Sequence, residues 1–198
     1  GDHIVEQHVH NIDVANWFIG RSPRTAMAVG ARTRRETGNQ YDFFSVDFDY
    51  GDGLHIHSLC RQIPGCAGRV GELFSTEQAE ISGGGKVSRY DGKEVAFEEV
   101  GNEGDPYVNE HSALLDSVIN GKALNEGEAT AYATATAIIG RLSAYTGQTV
   151  RMSDILTNRE SEFYNMNFKP AALDFEGAAD IELPAEGVVP LPGKPGKI

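Results

Sequence analysis

Apolar and polar positions over residues 1–20 sort with a helical period. At about 100° per residue, Glu6, His10 and Asp13 fall on one narrow stripe, flanked by His3 and Trp17. Ile4, Val5, Ile12, Ala15, Phe18 and Ile19 lie broadly opposite and are expected to face a core, and His8 turns toward that side too. Asp2 is placed as the N-cap of this helix and Gly20 as its C′ stop. A helix that buries one side and lines the other with an acid, an imidazole and a second acid has the makings of one wall of an active site. The alternative is a solvated helix face, where Glu and His four apart are common.

The period then shifts to two. From Tyr41 to Tyr50, Phe44, Val46, Phe48 and Tyr50 share one face, while Ser45, Asp47 and Asp49 share the other. Gly51-Asp-Gly53 is expected to be a three-residue hairpin loop, with Leu54 to Ile63 returning. That register sets Phe48 against Ile56 and Phe44 against Cys60 in the core, with Asp49 facing His55 and Asp47 facing His57 outside. Further strands are expected around Ala67–Ser75, Lys86–Tyr90 and Glu94–Val100, with Asp91-Gly92 as a turn.

Helical signals return at Asp105-Pro106, a cap followed by proline, and end at Gly121. A second helix starts at Asn125, with Glu128 in the capping-box position, and runs to about Tyr145. Its Ala/Thr/Gly-rich side suits close packing on a neighbour. The order implies an α+β fold with an open, mainly antiparallel sheet and helices on one face. We expect this domain to span 1–168, followed by an extended tail over 169–198 punctuated by Pro184, Pro190, Pro192 and Pro195.

Charge narrows the choice of partners. With 17 basic against 29 acidic residues and a net charge of −12, nucleic acid and anionic membrane surfaces are poor partners. No apolar run approaches the roughly 18 residues that cross a bilayer. Arg21, Arg24, Arg32, Arg34 and Arg35 form the one basic cluster, read as a solvated strand and loop or as a contact to an anionic ligand. Cys60 and Cys66 are expected to be buried free thiols, with a small-loop disulfide as the alternative. The two Asp–His pairs on the outward sheet face invite a metal, but cross-strand charge pairing is the commoner use, and no metal is expected. That face also suits a subunit interface.

Glu6, His10, Asp13 and Trp17 together resemble the opening of the C-terminal domain in the glucose–fructose oxidoreductase, inositol dehydrogenase and MocA family. The resemblance continues through Arg61-Gln-Ile-Pro-Gly-Cys66, through Glu110-His111 with Leu114-Leu115 and Asn120-Gly121-Lys122, and through Asn125-Glu-Gly-Glu128 to Gly140–Gly147. Glu6 departs from the Asp more usual at its position and lengthens the carboxylate arm. The resemblance implies a dihydrodipicolinate-reductase-like C-terminal domain that serves substrate binding and assembly in an NAD- or NADP-dependent oxidoreductase. Its substrate would be a sugar, polyol or related hydroxyl compound. His10 would act as general acid/base and Glu6 would orient it or contact a hydroxyl, with Asp13, Arg61, Gln62 and Tyr107 as candidates for substrate binding.

No strand–GxGxxG–helix unit is present, and neither Gly83-Gly-Gly-Lys86 nor Gly65–Gly71 has the spacing of a phosphate cradle. We therefore expect these residues alone to bind no nicotinamide cofactor. The chain reads as a fragment whose Rossmann domain precedes Gly1. A homo-oligomer joined through the sheet face is expected. The compartment stays open between bacterial cytoplasm and periplasm, because similar sequences include proteins exported with twin-arginine leaders. The same residues also allow a non-catalytic oligomerisation module, a glycoside-cleaving enzyme that oxidises its substrate transiently, or a metal hydrolase lacking a third ligand at helical spacing.

Overall fold

The computed structural model describes residues 2–36, 38–83, 85–95, 104–164 and 188–193. In chain order these form α1 (His3–Glu6), α2 (Val9–Ile19), β1 (Thr25–Ala31), β2 (Phe43–Gly51), β3 (Leu54–Arg61), β4 (Leu73–Ser75), β5 (Ala79–Ser82), β6 (Val87–Arg89), α3 (Pro106–Ile119), α4 (Gly127–Thr146), β7 (Val150–Arg151) and α5 (Met152–Leu156). They fall into two compact units, residues 1–69 with 131–198 and residues 70–130.

The first unit is built on an antiparallel sheet of order β3-β2-β1-β7. Alternation in β2 does what its sequence dictates. Phe44, Val46, Phe48 and Tyr50 are buried and join Ile4 and Ile12 from the N-terminal helices and Ile139 and Leu142 from α4 in one core. Gly140 lets α4 come close, because a Cβ there would stand 3.0 Å from the Phe48 ring. The β2–β3 register is the expected one: Phe48 opposes Ile56, Phe44 opposes Cys60, Asp49 opposes His55 and Asp47 opposes His57. The hairpin loop is tighter than the three residues expected. Gly51 pairs with Leu54 after a bulge, leaving Asp52 and Gly53, both at positive φ, as a two-residue turn.

β1 forms within the stretch read as a solvated strand and loop, but it lies inside the sheet with Ala26 and Ala28 buried. Its other face, shared with β2 and β3, is open. Met27, Val29 and Leu59 are exposed there beside Asp47, Asp49 and His55, so the face is more apolar than its charged residues imply.

Buried polar groups tie the loops to this core. The Asp42 carboxylate accepts the backbone N–H groups of Thr33, Arg34 and Arg35 and the Thr33 hydroxyl. Burial alone would raise its pKa, but those donors outweigh it and hold the carboxyl below its ordinary value. The same loop employs two of the clustered arginines: Arg32 donates to the carbonyls of Arg35 and Glu36, and Arg35 donates to Gln40. Arg21 and Arg24 reach Asp52 at the surface. The segment 188–193 lies against this unit, where the Tyr41 hydroxyl donates to Pro190 O at 2.8 Å and Gly193 N–H donates to Thr146 O at 2.9 Å.

The second unit holds the antiparallel sheet β4-β5-β6 and α3. Of the strand expected over 67–75 only Leu73–Ser75 forms, and β5, too short and polar to register as a pattern, pairs with it. The expected Asp91-Gly92 turn is present. Glu94 and Lys93 are not in a strand, and 96–100 lie outside the described residues, as does most of the tail. Helix α3 begins as expected, with Asp105 accepting the Tyr107 N–H, and ends at Gly121 with the Lys122 N–H donating to Ser117 O.

Candidate functional site

The N-terminal helical segment is interrupted, where a continuous helix was expected. The amides of Gln7 and His8 both donate to His3 O, and those of His10 and Asn11 then donate only three residues back. The turn is loosened and then tightened, and α1 gives way to α2. The interruption sits where the His8 ring is bound, its Nε2 2.7 Å from Ser58 Oγ on β3. Beyond it α2 is fixed by Asn16, which accepts the Tyr50 hydroxyl at 2.7 Å and donates to Thr136 on α4 at 3.1 Å. Gly20 ends the helix at φ 78° as expected.

Side chains divide across this segment. Ile4, Ile12 and Ala15 are buried, and Val5, Val9 and Ile19 pack on the core; Phe18, expected there, is instead 44% exposed. Glu6, His10, Asp13 and Trp17 all face outward, Trp17 at 82% exposure. Glu6 and His10 sit on different helices. Among the described residues neither bonds to the other, and Asp13 has no partner either. His3 keeps a buried Nδ1 without a partner among the described residues.

The remaining candidates stand apart. Arg61 and Gln62 are exposed at the end of β3, where they border an open notch of about 330 Å³ with Ile63, Pro64 and Cys66. The Arg61 guanidinium donates to Ala67 O at 2.8 Å, so part of its donor capacity shapes its own loop. Tyr107 belongs to the second unit, in the first turn of α3, and is 73% exposed. Cys60 is a half-buried thiol whose pKa burial pushes up to about 12, whereas Cys66, expected to be buried, is exposed; both are free.

On the open sheet face the side chains lean diagonally rather than straight across. His55 Nδ1 is 3.0 Å from Asp47 and its Nε2 is 3.8 Å from Asp49, while His57 turns to Ser45. Among the described residues no group of three or more His, Cys, Asp or Glu side chains could hold a metal ion. The described strands also offer no fit for a nicotinamide dinucleotide. Every strand pair is antiparallel, and Gly83 and Gly85 lie in the β5–β6 turn rather than between a strand and a helix. No helix among the described residues is long and apolar enough to cross a membrane.

Sequence reasoning missed one group of residues near the stripe. Asp2 stands at the N-cap position as expected, but its side chain makes no capping bond and is buried among Tyr41, Arg141 and Tyr145. Its ionic partner lies 139 residues away, and no local spacing announces such a pair.

The chain matches no protein-family model and no curated protein. Its fold does match solved proteins described as oxidoreductases. YvaA of Bacillus subtilis, assigned by name to the oxidoreductases, superposes with a TM-score of 0.58 at 15% identity, over 76% of this chain and 51% of that one. An Agrobacterium radiobacter oxidoreductase, solved with NAD+, L-tartaric acid and magnesium, gives 0.52 at 17% identity, covering 75% and 48%. The aldose–aldose oxidoreductase of Caulobacter crescentus, complexed with glycerol, gives 0.51 at 15% identity, covering 72% and 45%. This chain thus spans about half the length of the solved chains it matches. At these identities the likeness is one of fold: α+β, with an open antiparallel sheet.

Proposed function

We propose that this chain is the C-terminal substrate-binding and assembly part of a nicotinamide-dependent oxidoreductase acting on a carbohydrate-like hydroxyl compound. The observation that carries the reading is the exposed Glu6–His10–Asp13 stripe. It projects from a helical segment whose other side is locked into the core, within a fold shared with oxidoreductases. Three small polar groups displayed on a fixed backbone suit recognition of several hydroxyls at once. The polyhydroxy compounds bound by two of the fold neighbours, L-tartaric acid and glycerol, agree with that chemistry.

Within the site, His10 holds or releases the proton of the substrate hydroxyl at its exposed imidazole. An imidazole suits that exchange because one ring nitrogen can accept a proton while the other donates. Glu6 contacts a neighbouring hydroxyl or closes on the His10 ring when substrate is bound. Asp13 adds a second carboxylate to the stripe for substrate contact, and Arg61 and Gln62 on the same unit are further candidates. Binding of NAD or NADP is left to another part of the whole protein, and no step here is routed through it. Assembly uses the open sheet face, where Met27, Val29 and Leu59 give a second copy apolar surface to cover.

The deciding experiment is a screen of aldoses, polyols and hydroxy acids with NAD and NADP, using the protein from the complete reading frame. Saturable nucleotide reduction that disappears in His10→Ala is the expected result. If no member of the panel is turned over, or if His10→Ala keeps full turnover, the non-catalytic assembly module becomes the better account.

A further inference from the structure

The carboxylate of Asp2 is the most heavily engaged side chain next to the stripe, and the reaction outlined above makes no use of it. It is 1% exposed. One oxygen accepts the Tyr145 hydroxyl at 2.5 Å and the Tyr41 N–H at 3.2 Å; the other accepts Arg141 Nε. Arg141 lies over the Tyr145 ring, 4.5 Å from its centroid, and the Tyr145 ring stacks on Tyr41 at 4.1 Å. Burial, and after it the bond to Asp2, raises the pKa of the Tyr145 hydroxyl, so it stays a donor. Asp2 therefore joins the start of α1 to α4 and to the strand entry before β2. Through the Tyr41 hydroxyl the same cluster reaches Pro190.

The other end of the same residue acts on the stripe. The Asp2 carbonyl accepts the N–H groups of Val5 and Glu6 at 3.0 and 2.9 Å. A capping carboxylate would have turned back on the amide of Ile4 or Val5; this one faces the core, and the first turn is held through the carbonyl of the same residue. The backbone of Glu6 is thus one hydrogen bond from a residue held by three donors. Glu6 itself is exposed and has no side-chain partner among the described residues, so where it projects is set by the anchors of its turn, Asp2 and the buried Ile4.

We infer that Asp2 is a positioning residue for the acid–imidazole stripe, holding the first turn of α1, and with it Glu6, against α4 and β2. The inference rests on the proposed oxidoreductase function for its kinetic consequence but not for its structural one. Asp2→Asn keeps the shape and an acceptor for Tyr145 while removing the charge that Arg141 faces. In the complete protein, this variant should exchange its Val5 and Glu6 amides about tenfold faster or more, with Ile12–Asn16 unchanged. With the best substrate from the screen, kcat should fall about tenfold while KM stays within about twofold. His10→Ala should lower kcat without altering exchange in α1.

A folded Asp2→Asn protein with wild-type exchange at Val5 and Glu6, or with wild-type kcat, overturns the inference. So does faster exchange spread evenly over the chain with kcat intact, which is the mark of a purely structural pair. If Asp2→Asn does not fold, Tyr145→Phe removes one donor, leaves the carboxylate with its arginine, and is judged on the same readouts. If no substrate is turned over, exchange alone decides whether Asp2 holds Glu6, so failure of the anchor and failure of the functional reading remain distinct.

Discussion

The two sides of residues 2–19 are treated in opposite ways. On the inner side three polar side chains are committed: Asp2 to Tyr145, Tyr41 and Arg141, His8 to Ser58, and Asn16 to Tyr50 and Thr136. On the outer side Glu6, His10 and Asp13 have no partner among the described residues, and Trp17 is bare. A solvated surface helix carries charges that its neighbours partly satisfy. Here satisfaction is confined to one side, which gives the other a fixed frame and open valences. If the outer stripe carries the proposed chemistry, substitutions on the two sides should move different observables.

The largest effect expected falls on turnover. His10→Ala should lower kcat by about 10²–10⁴-fold with cofactor affinity and thermal midpoint nearly unchanged, because the ring is exposed and supports no packing. Glu6→Gln should cost less, since an amide still reaches a hydroxyl or the ring but cannot support an imidazolium charge. Steady-state kinetics with parallel melts check both. Across the helix, Ile4→Ala should do the reverse. Ile4 is fully buried against the core, so its truncation should destabilise by about 2–5 kcal/mol in chemical denaturation. Any residual loss of kcat should track the unfolded fraction. A marked loss of stability in His10→Ala would erase the distinction between the sides.

Asp42 sharpens the contrast between committed and free carboxylates. Its folded pKa is depressed, so its stabilisation is fully present above the unfolded value of about 3.9 and is lost as pH falls through the lower folded value. Asp42→Asn should therefore destabilise by about 1–2 kcal/mol at neutral pH, where charged acceptors strengthen the bonds from Thr33, Arg34 and Arg35. The gap between the two proteins should close below about pH 4. Melts from pH 3 to 7 test this. A gap that widens on acidification would mean the carboxylate is not the group held by those amides.

Much of the fold was legible because it depends on near neighbours. Alternation in residues 41–50 set the β2–β3 register to the residue, and Asp105-Pro106 and Gly121 marked the ends of α3. The burial of β1, read as part of a solvated strand, escaped because Ala26, Ala28 and Gly30 carry too little hydrophobic contrast to show a period, although close packing favours small residues there. The outward stripe was legible for the same reason as β2, since 3.6-residue periodicity survives a local interruption. The interruption itself was not, because it coincides with a bond to Ser58, fifty residues away. Asp2 took the expected N-cap position, but the role of its side chain was hidden in the same manner. Its short side chain before a helix satisfied a capping rule, while its real partners are contributed by α4.

The smallest expected effect comes from His8, two residues from His10 but on the committed side. Its Nε2 meets Ser58 Oγ at 2.7 Å, and a glutamine side chain carries a polar end to a similar reach. His8→Gln should therefore cost less than about 1 kcal/mol of stability and leave turnover within about twofold, the loss being packing around the ring rather than a catalytic group. The comparison with His10→Ala is stringent because both rings are imidazoles on one segment, differing in which way they face. Kinetics and denaturation of the two variants, run together, decide it. If His8→Gln abolished turnover in a well-folded protein while His10→Ala did not, the reacting imidazole would lie on the inner side against β3. The outer stripe would then be surface, and the separation of frame from chemistry would be reversed.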